Sequence, residues 1–325
     1  MSILVAGGAG YIGSVTAAQM LAAGREVVVY DNLSRGRRQA VPPGAIFVQA
    51  ELGDVKTLAA TLKKYGVEAV MHFAAHSLVP ESMTAPEIYY ENNVVVGKRM
   101  LDAMRLAGVK FIIFSSTCAT FGEPETVPIH EEVAQRPTNP YGETKLAFER
   151  MLYWENRIHG LKYSILRYFN AAGAAYGLGE DHRPETHIIP LVLDVALGKR
   201  AKILVYGDDY PTPDGTCIRD YIHIVDLAQA HVLALEKKRD EATHYNLGNG
   251  SGYSVTEVID TVRRVTGKPI AAEIAPRRPG DPPRLIGASD KAKRELGWRP
   301  QHPELESIVA SAWEWRQKHP DGYAE

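Results

Sequence analysis

Short apolar runs alternate with helical patterns along the first half of the chain, and this alternation limits the folds that the chain can adopt. Each run has the length and apolar character of a strand that is buried on both faces of a sheet. The runs cover residues 2–6, 26–31, 45–50, 68–74, 110–116 and 162–168. Helical spacing of apolar residues predicts helices between them, at about 11–23, 54–65, 84–107 and 141–159. Because helical crossovers join parallel strands, the sequence predicts an α/β fold with a doubly wound parallel sheet.

The composition changes after about residue 170. Glycine and proline cluster in AAGAAYGLGEDHRPETH (171–187), YGDDYPTPDGT (206–216) and APRRPGDPPR (275–284), which predicts long loops of the kind that cover a ligand. A predicted helix at 220–238 and a predicted strand at 243–250 then rejoin the first sheet. We therefore expect residues 1–170, rejoined by about 220–250, to form one domain and residues 171–325 to form mainly a smaller, discontinuous α/β domain.

A glycine-rich segment, GGAGYIG, follows the first strand and opens the first helix. Gly7, Gly10 and Gly13 permit a tight turn and let backbone N–H groups approach a pyrophosphate at the helix N-terminus. The second strand ends in Asp31, a position typical of a carboxylate that accepts hydrogen bonds from a ribose 2′-hydroxyl. This context predicts a Rossmann-type dinucleotide site and favours NAD over NADP, because the carboxylate repels a 2′-phosphate.

Two alternatives stay open for this segment. The first is a strand–turn–helix unit that binds no ligand. The second is NADP, because Arg35, Arg37 and Arg38 lie close to Asp31 in the sequence.

Tyr141 and Lys145 stand four residues apart in a predicted helix and therefore share one face of it. A neighbouring ammonium and a positively charged nicotinamide ring both favour the phenolate, so we expect them to lower the pKa of Tyr141. Ser115, Ser116 and Thr117 end a predicted strand, at the sheet edge where open α/β folds bind ligands. The arrangement predicts proton removal from an alcohol coupled to its oxidation.

These features together resemble the extended short-chain dehydrogenase/reductase family and, within it, the UDP-hexose 4-epimerases. The narrower resemblance extends over nearly the whole chain. It is carried by the ordered segments AGGAGYIGS, YDNLSRG, HFAAHSLVPES, YYENNV, SSTCATFGEP, NPYGETK, LRYFNAAGA, YPTPDGTCIRDYIHIVDLA, YNLGNG and RRPGDPP.

The resemblance implies a bound NAD that oxidises C4 of a UDP-hexose to a 4-keto sugar, which rotates and is reduced again from the opposite face. It implies that Tyr141 accepts and returns the proton, that Lys145 tunes Tyr141 and contacts a ribose, and that Thr117 lies beside the C4 oxygen. No metal is expected to take part.

The resemblance also implies residues that contact the cofactor and the substrate. Those for NAD, in addition to Tyr141 and Lys145, are Gly7, Gly10, Tyr11, Ile12, Gly13, Asp31, Asn32, Asp54, Val55, Phe73, Ala74, Ala75, Asn92, Ser115 and Tyr168. Those for the UDP-sugar are Ser77, Thr117, Asn170, His187, Tyr206, Arg219, Arg278, Asp281 and Leu285.

Three positions depart from the pattern of many relatives. Ser77 replaces a lysine that some epimerases carry near the nicotinamide, and Thr117 replaces a serine but keeps its hydroxyl. Leu285 stands where relatives set the room for the C2 substituent of the sugar, so the acceptance of an N-acetyl group stays open. The acidic pair of the sugar-nucleotide 4,6-dehydratases is replaced by Cys118 and Ala119, which argues against dehydration.

Two further functions stay open beside the UDP-hexose epimerase. The nearest is a 4-epimerase for N-acetylated UDP-sugars, UDP-uronates or UDP-pentoses. The other is a protein that binds NAD without turnover, although the set of Thr117, Tyr141 and Lys145 argues against it.

Charge and composition exclude several other classes of partner. A formal net charge of −2 argues against nucleic acid and anionic membrane surfaces, and no apolar run is long enough to predict a transmembrane helix. The two cysteines, and a first segment without features of a secretory signal, predict a cytoplasmic protein with free thiols. His72 and His76 lack a suitably spaced third ligand, so no metal site is predicted.

The resemblance implies a homodimer that pairs the helices at 84–107 and 141–159 in a four-helix bundle.

Overall fold

The computed structural model describes residues 2–237, 240–278 and 281–324. Its strands are β1 (Ser2–Ala6), β2 (Glu26–Asp31), β3 (Ile46–Gln49), β4 (Val67–His72), β5 (Phe111–Thr117), β6 (Lys162–Tyr168), β7 (Asn170–Ala172), β8 (Ile203–Tyr206), β9 (Ile218–Arg219), β10 (Tyr221–His223), β11 (Ala242–Leu247), β12 (Tyr253–Ser254), β13 (Ala272–Ala275) and β14 (Arg284–Leu285). Its α-helices are α1 (Tyr11–Ala22), α2 (Val55–Lys64), α3 (Val79–Ser82), α4 (Pro86–Tyr89), α5 (Gly97–Ala107), α6 (Pro140–His159), α7 (Ile188–Ala196), α8 (Ile224–Lys237), α9 (Val255–Thr266), α10 (Asp290–Glu295) and α11 (Leu305–Lys318).

Seven parallel strands form the central sheet, in the order β11-β6-β5-β4-β1-β2-β3. Successive residues of a strand point to opposite faces. In β1, Ile3 and Val5 pack into a core that includes side chains of α1 and α8, whereas Leu4 packs into a core that includes side chains of α2, α5 and α6. Burial on both faces explains the continuous apolar runs. The predicted doubly wound α/β fold is confirmed: β1, β2 and β6 have the predicted ends, and the ends of β3, β4, β5 and β11 differ from the prediction by one to three residues.

The second half of the chain contributes both to this sheet and to a separate core. Strand β11 pairs with β6, so the chain returns to the central sheet after β7–β10. A separate apolar cluster joins α7, α9 and α11, with Val192, Val258 and Ile308 fully buried. Small sheets formed by β7 and β10, by β8 and β13, and by β9, β12 and β14 accompany it. The division into domains at residue 170 stays a prediction.

The predicted helix at 84–107 is interrupted. Residues Tyr90–Val96 form π-helical turns between α4 and α5. Within them, the buried Asn93 amide accepts a hydrogen bond from the N–H of His76 at 2.9 Å and donates to Thr144 Oγ1 at 3.1 Å. Such wide turns often occur at functional sites. Apolar spacing alone does not distinguish them from an α-helix.

The predicted helix at 220–238 begins later than expected. Residues Tyr221–His223 form β10, which pairs in parallel with β7, and the helix begins at Ile224. Residue 238 lies outside the described residues. Apolar residues suit a buried short strand as well as a helix, and the pairing with β7 decides between them.

Within the described part of the chain, no helix combines the length and the apolar character needed to cross a membrane.

The glycine-rich turn provides a test of backbone packing. Gly7 and Gly24 both have positive φ, at 79° and 73°, but a Cβ atom would meet Ala74 N at 2.5 Å at Gly7 and no atom within 4 Å at Gly24. We expect Gly24→Ala to lower the free energy of unfolding by about 1–2 kcal/mol through conformation alone. Gly7→Ala adds overpacking that costs about 1–3 kcal/mol more. Urea unfolding measures both values, and equal losses would contradict the close packing of this turn.

Candidate active site

A cleft of about 770 Å³ opens at the carboxyl ends of the central strands. Its size is within the range of small-molecule sites. Eighteen of the predicted site residues line it: Gly7, Gly10, Tyr11, Ile12, Gly13, Phe73, Ala75, Ser77, Thr117, Tyr141, Lys145, Tyr168, Asn170, His187, Arg219, Arg278, Asp281 and Leu285. The fold therefore brings together residues that are up to 278 positions apart in the chain, from Gly7 to Leu285.

The glycine turn between β1 and α1 forms one end of this cleft. A Cβ atom on Gly13 would lie 2.3 Å from the carbonyl oxygen of Gly7, so only glycine allows helix α1 to begin this close to the turn. Gly10 is the N-cap of α1 and contributes no side-chain hydrogen bond to the first turn. The first N–H groups of a helix point toward its N-terminus and favour an anion there. The turn is therefore suited to a pyrophosphate.

Asp31 lies beside this turn at the end of β2. Its buried carboxylate accepts the N–H of Ala9 at 3.0 Å through one oxygen and the N–H of Leu33 at 2.8 Å through the other. Burial raises the pKa of Asp31, and these two N–H groups act in the opposite direction. Each carboxylate oxygen has a second lone pair, so the group retains the capacity to accept a ribose hydroxyl.

The N-terminus of α6 presents Tyr141 and Lys145 to the cleft. Asn139 caps the helix by accepting the N–H of Gly142 at 2.8 Å, and Pro140 occupies the first turn. The Lys145 ammonium is buried, donates to the carbonyl of Ser115 at 2.8 Å and lies 6.0 Å from the centre of the Tyr141 ring. The predicted pair is thus on one face of the helix, at the end of β5.

The chain's own groups do not make Tyr141 acidic. Burial raises the pKa of Tyr141 well above its ordinary value, the nearby Tyr168 acts in the same direction, and a hydrogen bond with Thr117 only partly offsets them. Burial also lowers the pKa of Lys145 to about 7, against the attraction of Glu149. Lys145 is not among the causes of this shift, so the lowering of the pKa of Tyr141 by Lys145 together with a nicotinamide stays a prediction.

A buried ionic network that sequence analysis missed lies beneath Lys145. Glu149 accepts from Arg167 Nη2 at 2.7 Å and from Ser116 Oγ at 2.5 Å, and both charged side chains are 5% exposed. The signal was present in the sequence, because Arg167 is a charged residue near the end of the buried strand β6. Its partner on α6 could not be identified from spacing.

Two arginines lie at the other end of the cleft. Arg219 forms an ion pair with Asp281, and the guanidinium of Arg278 lies 4.0 Å from the centre of the Tyr206 ring. The resemblance assigned both arginines and both partners to the UDP moiety. The structure shows that Arg219 already has a carboxylate partner within the chain.

Eight of the predicted site residues are not among those that line the cleft: Asp31, Asn32, Asp54, Val55, Ala74, Asn92, Ser115 and Tyr206. Asp54 caps α2 by accepting the N–H groups of Lys56 and Thr57, each at 3.1 Å. Asn32 donates to Glu51 at 3.0 Å, and Asn92 donates to Asn93 at 3.0 Å. Their roles toward a ligand stay predictions.

The other members of this group belong to the framework around the cleft. The N–H of Ala74 donates to the carbonyl of Ala6 at 3.0 Å, and Ser115 Oγ accepts from the Tyr168 hydroxyl at 3.2 Å. Val55 is the first residue of α2, and Tyr206 ends β8.

Comparisons with known proteins agree with this geometry. The model of the family described as "NAD dependent epimerase/dehydratase family" matches residues 3–248. The chain is 52% identical to the UDP-glucose 4-epimerase of Halalkalibacterium halodurans, over 100% of this chain and 98% of that protein. It is also 52% identical to the UDP-glucose 4-epimerase of Streptomyces lividans, over 98% of this chain and 97% of that protein.

Some of the solved structures that resemble this chain contain bound ligands. The UDP-glucose 4-epimerase of Brucella ovis, solved in complex with NAD, is 47% identical with a TM-score of 0.93, over 96% of this chain and 97% of that chain. The UDP-glucose 4-epimerase of Bifidobacterium longum, solved in complex with NAD+ and UDP, is 37% identical with a TM-score of 0.94. The match covers 99% of this chain and 100% of that chain. The chain belongs to the NAD dependent epimerase/dehydratase family.

Proposed function

We propose that the protein binds NAD and interconverts UDP-glucose and UDP-galactose by oxidation at C4, rotation of the 4-keto sugar and reduction. The observation that carries this proposal is the presence of Thr117, Tyr141 and Lys145 in the same cleft as the glycine turn. Full-length relatives at about 50% identity named UDP-glucose 4-epimerase support it.

Residues of β1, α1, β2 and α6 would hold the dinucleotide. The fit is supported by the glycine turn, where a Cβ atom at Gly7 or Gly13 would collide with backbone, and by the lone pairs of Asp31. Asp31 favours NAD over NADP because a buried carboxylate repels a 2′-phosphate. When bound, NAD supplies reversible redox chemistry at C4 of the sugar.

Tyr141 would take the proton from the C4 hydroxyl and return it. Lys145 holds its ammonium by the hydrogen bond to Ser115 and supplies positive charge to the phenol. Thr117, at the end of β5, accepts the N–H of Ala119 at 3.1 Å and also has a hydrogen bond with Tyr141, so its hydroxyl is held at the reacting end of the cleft. These contacts support the assignment of the three residues to general acid–base catalysis.

Arg219 and Arg278 would bind the diphosphate of the UDP moiety, because forked guanidinium donors suit phosphate oxygens. Leu285 lines the cleft and packs against the same apolar cluster as Cys118, formed by Phe121, Ile129 and Phe169. A bulkier C2 substituent therefore meets an apolar side chain. Turnover of N-acetylated UDP-sugars is the alternative activity, and a panel of UDP-sugars distinguishes the two.

The same proposal divides the chain into an NAD-binding domain, residues 1–170 with about 220–250, and a substrate-binding region within 171–325. The return of β11 to the central sheet and the separate core of α7, α9 and α11 support this division. Both cysteines are free, which supports a cytoplasmic location.

The protein would also act as a homodimer through α5 and α6. Large apolar side chains are exposed on the turns at 90–96 and on these helices: Tyr90, Val95, Leu106, Tyr153, Trp154 and Ile158. Arg105 Nη1 lies 3.2 Å from His159 Nε2 and joins the two helices at one end. A second copy of the same helix pair would cover these side chains in a four-helix bundle.

The role of Tyr141 in proton transfer can be tested by enzyme kinetics. We expect Tyr141→Phe to lower kcat for UDP-galactose formation by about 10²- to 10⁴-fold, because it removes the hydroxyl that transfers the proton. The dinucleotide released on denaturation should stay at the wild-type amount. Tyr176→Phe, which removes a hydroxyl from a ring that is 52% exposed, is the matched control and should leave kcat unchanged. Full activity of Tyr141→Phe would refute the assignment.

The proposed dimer surface can be tested by sedimentation of the protein. Trp154 and Ile158 are 59% and 67% exposed and lie one turn apart, so Trp154→Glu with Ile158→Asp places two charges in the proposed bundle. We expect sedimentation velocity at micromolar concentration to change from dimer to monomer. Ile274→Asp, at a side chain that is 53% exposed on β13, is the control and should stay dimeric. A wild-type protein that is monomeric under these conditions would contradict the proposal.

A further inference from the structure

Four potential metal ligands converge in the loop that precedes α7. Glu180, His182, Glu185 and His187 each offer one nitrogen or oxygen atom, and these atoms lie within 4.8 Å of one another. The segment has no regular secondary structure, so its backbone rather than a helical or strand repeat brings the four side chains together.

The distances between the donor atoms suit a single ion at their centre. Glu180 Oε1 lies 3.0 Å from His182 Nδ1 and 2.8 Å from His187 Nδ1. Glu185 Oε1 lies 2.9 Å from His187 Nδ1, and Glu185 Oε2 lies 4.0 Å from His182 Nδ1. Tetrahedral ligands bound to zinc at ~2.0–2.1 Å are roughly 3.3 Å from one another. The observed separations lie on both sides of that value.

One buried oxygen in the cluster lacks a partner. Glu185 Oε1 accepts the N–H groups of Thr186 at 2.7 Å and His187 at 2.8 Å, which fixes the carboxylate. Its Oε2 atom is buried without a hydrogen bond, in a side chain that is only 10% exposed, and faces His182. A buried carboxylate oxygen without a donor is costly, and a bound cation would satisfy it.

The charge of the cluster also favours a bound cation. Glu180 is 7% exposed, so its carboxylate has little contact with water. Two carboxylates with neutral imidazoles carry a charge of about −2, which one divalent ion can balance.

We propose that Glu180, His182, Glu185 and His187 form a structural site for a divalent transition-metal ion, with zinc as the ion that the donor set suits best. Imidazole nitrogen and carboxylate oxygen are both zinc ligands, and four protein ligands without an open position are typical of structural sites. Magnesium is disfavoured, because it prefers six oxygen ligands. The site departs from the sequence prediction that the protein binds no metal.

The position of the cluster suggests a structural role for the ion. Glu180, His182 and His187 line the cleft, and His187 is the N-cap of α7. The His182 ring also contacts Tyr11 of α1, with ring centres 6.3 Å apart. An ion here would fix the wall of the cleft against the glycine turn. His187, which the resemblance assigned to the UDP-sugar, would coordinate the ion instead.

Metal binding is tested directly on the full-length protein after treatment with a chelator and dialysis. Isothermal titration with zinc chloride should give one ion per chain, and magnesium chloride should give no binding at the same concentration. X-ray absorption of the zinc form should show a first shell of nitrogen and oxygen at about 2.0–2.1 Å without sulfur. Absence of zinc binding to the wild-type protein would overturn the proposal.

Variants separate a metal site from a salt-bridge cluster. We expect His182→Ala to weaken zinc binding by more than the ~100-fold that loss of an outer partner can cost, and to remove the increase in Tm that zinc gives the wild type. His130→Ala, at an exposed histidine outside the cluster, should bind zinc as the wild type does. Equal zinc affinity of His182→Ala and wild type would assign the cluster to protonated histidines alone. Glu185→Gln, which keeps the size of the side chain, provides the same comparison if His182→Ala does not fold.

Discussion

The sheet is covered on both faces, and this constraint determines where polar chemistry can occur. Apolar side chains of β1 pack alternately into two cores, and polar side chains that leave the sheet through a face, such as Arg167 and Ser116, need a buried partner on a helix. The parallel direction then brings the ends of β1, β4, β5 and β6 to one edge. The glycine turn, Phe73, Thr117 and Tyr168 follow or end these strands. The cleft is thus a consequence of strand direction and burial, and α6 adds the acid–base pair to it.

Burial of charge beside this edge has its own consequences. Lys145 is 4% exposed, and Glu149, the carboxylate that attracts it, also pairs with Arg167 and accepts from Ser116. The negative charge of Glu149 is therefore shared, and it does not offset the desolvation of the Lys145 ammonium. That is why the pKa of Lys145 falls to about 7. Removal of Glu149 would leave both Arg167 and Lys145 buried without this carboxylate, so the network positions the lysine as well as stabilising the fold.

Local patterns were predictable from the sequence, whereas contacts across loops were not. The strands follow from continuous apolar runs, the glycine turn from its spacing after β1, and the shared face of Tyr141 and Lys145 from the helical repeat. The π-helical turns around Asn93 depend on a tertiary contact with His76, which no local pattern records. The pairing of Arg219 with Asp281 joins residues 62 positions apart. The cluster from Glu180 to His187 has spacings of two, three and two residues, which match no regular repeat.

The raised pKa of Tyr141 suits the step that returns a proton to the sugar better than the step that removes one. A phenol with a raised pKa is protonated at neutral pH, so Tyr141 in the chain alone holds the proton that a C4 alkoxide would take. Removal of the proton requires stabilisation of the phenolate, and burial works against it. Lys145 supplies part of the positive charge when protonated, and bound NAD in its oxidised form would supply more. The pKa of Tyr141 would then depend on the redox state of the bound cofactor, because burial in the chain alone keeps the phenol protonated.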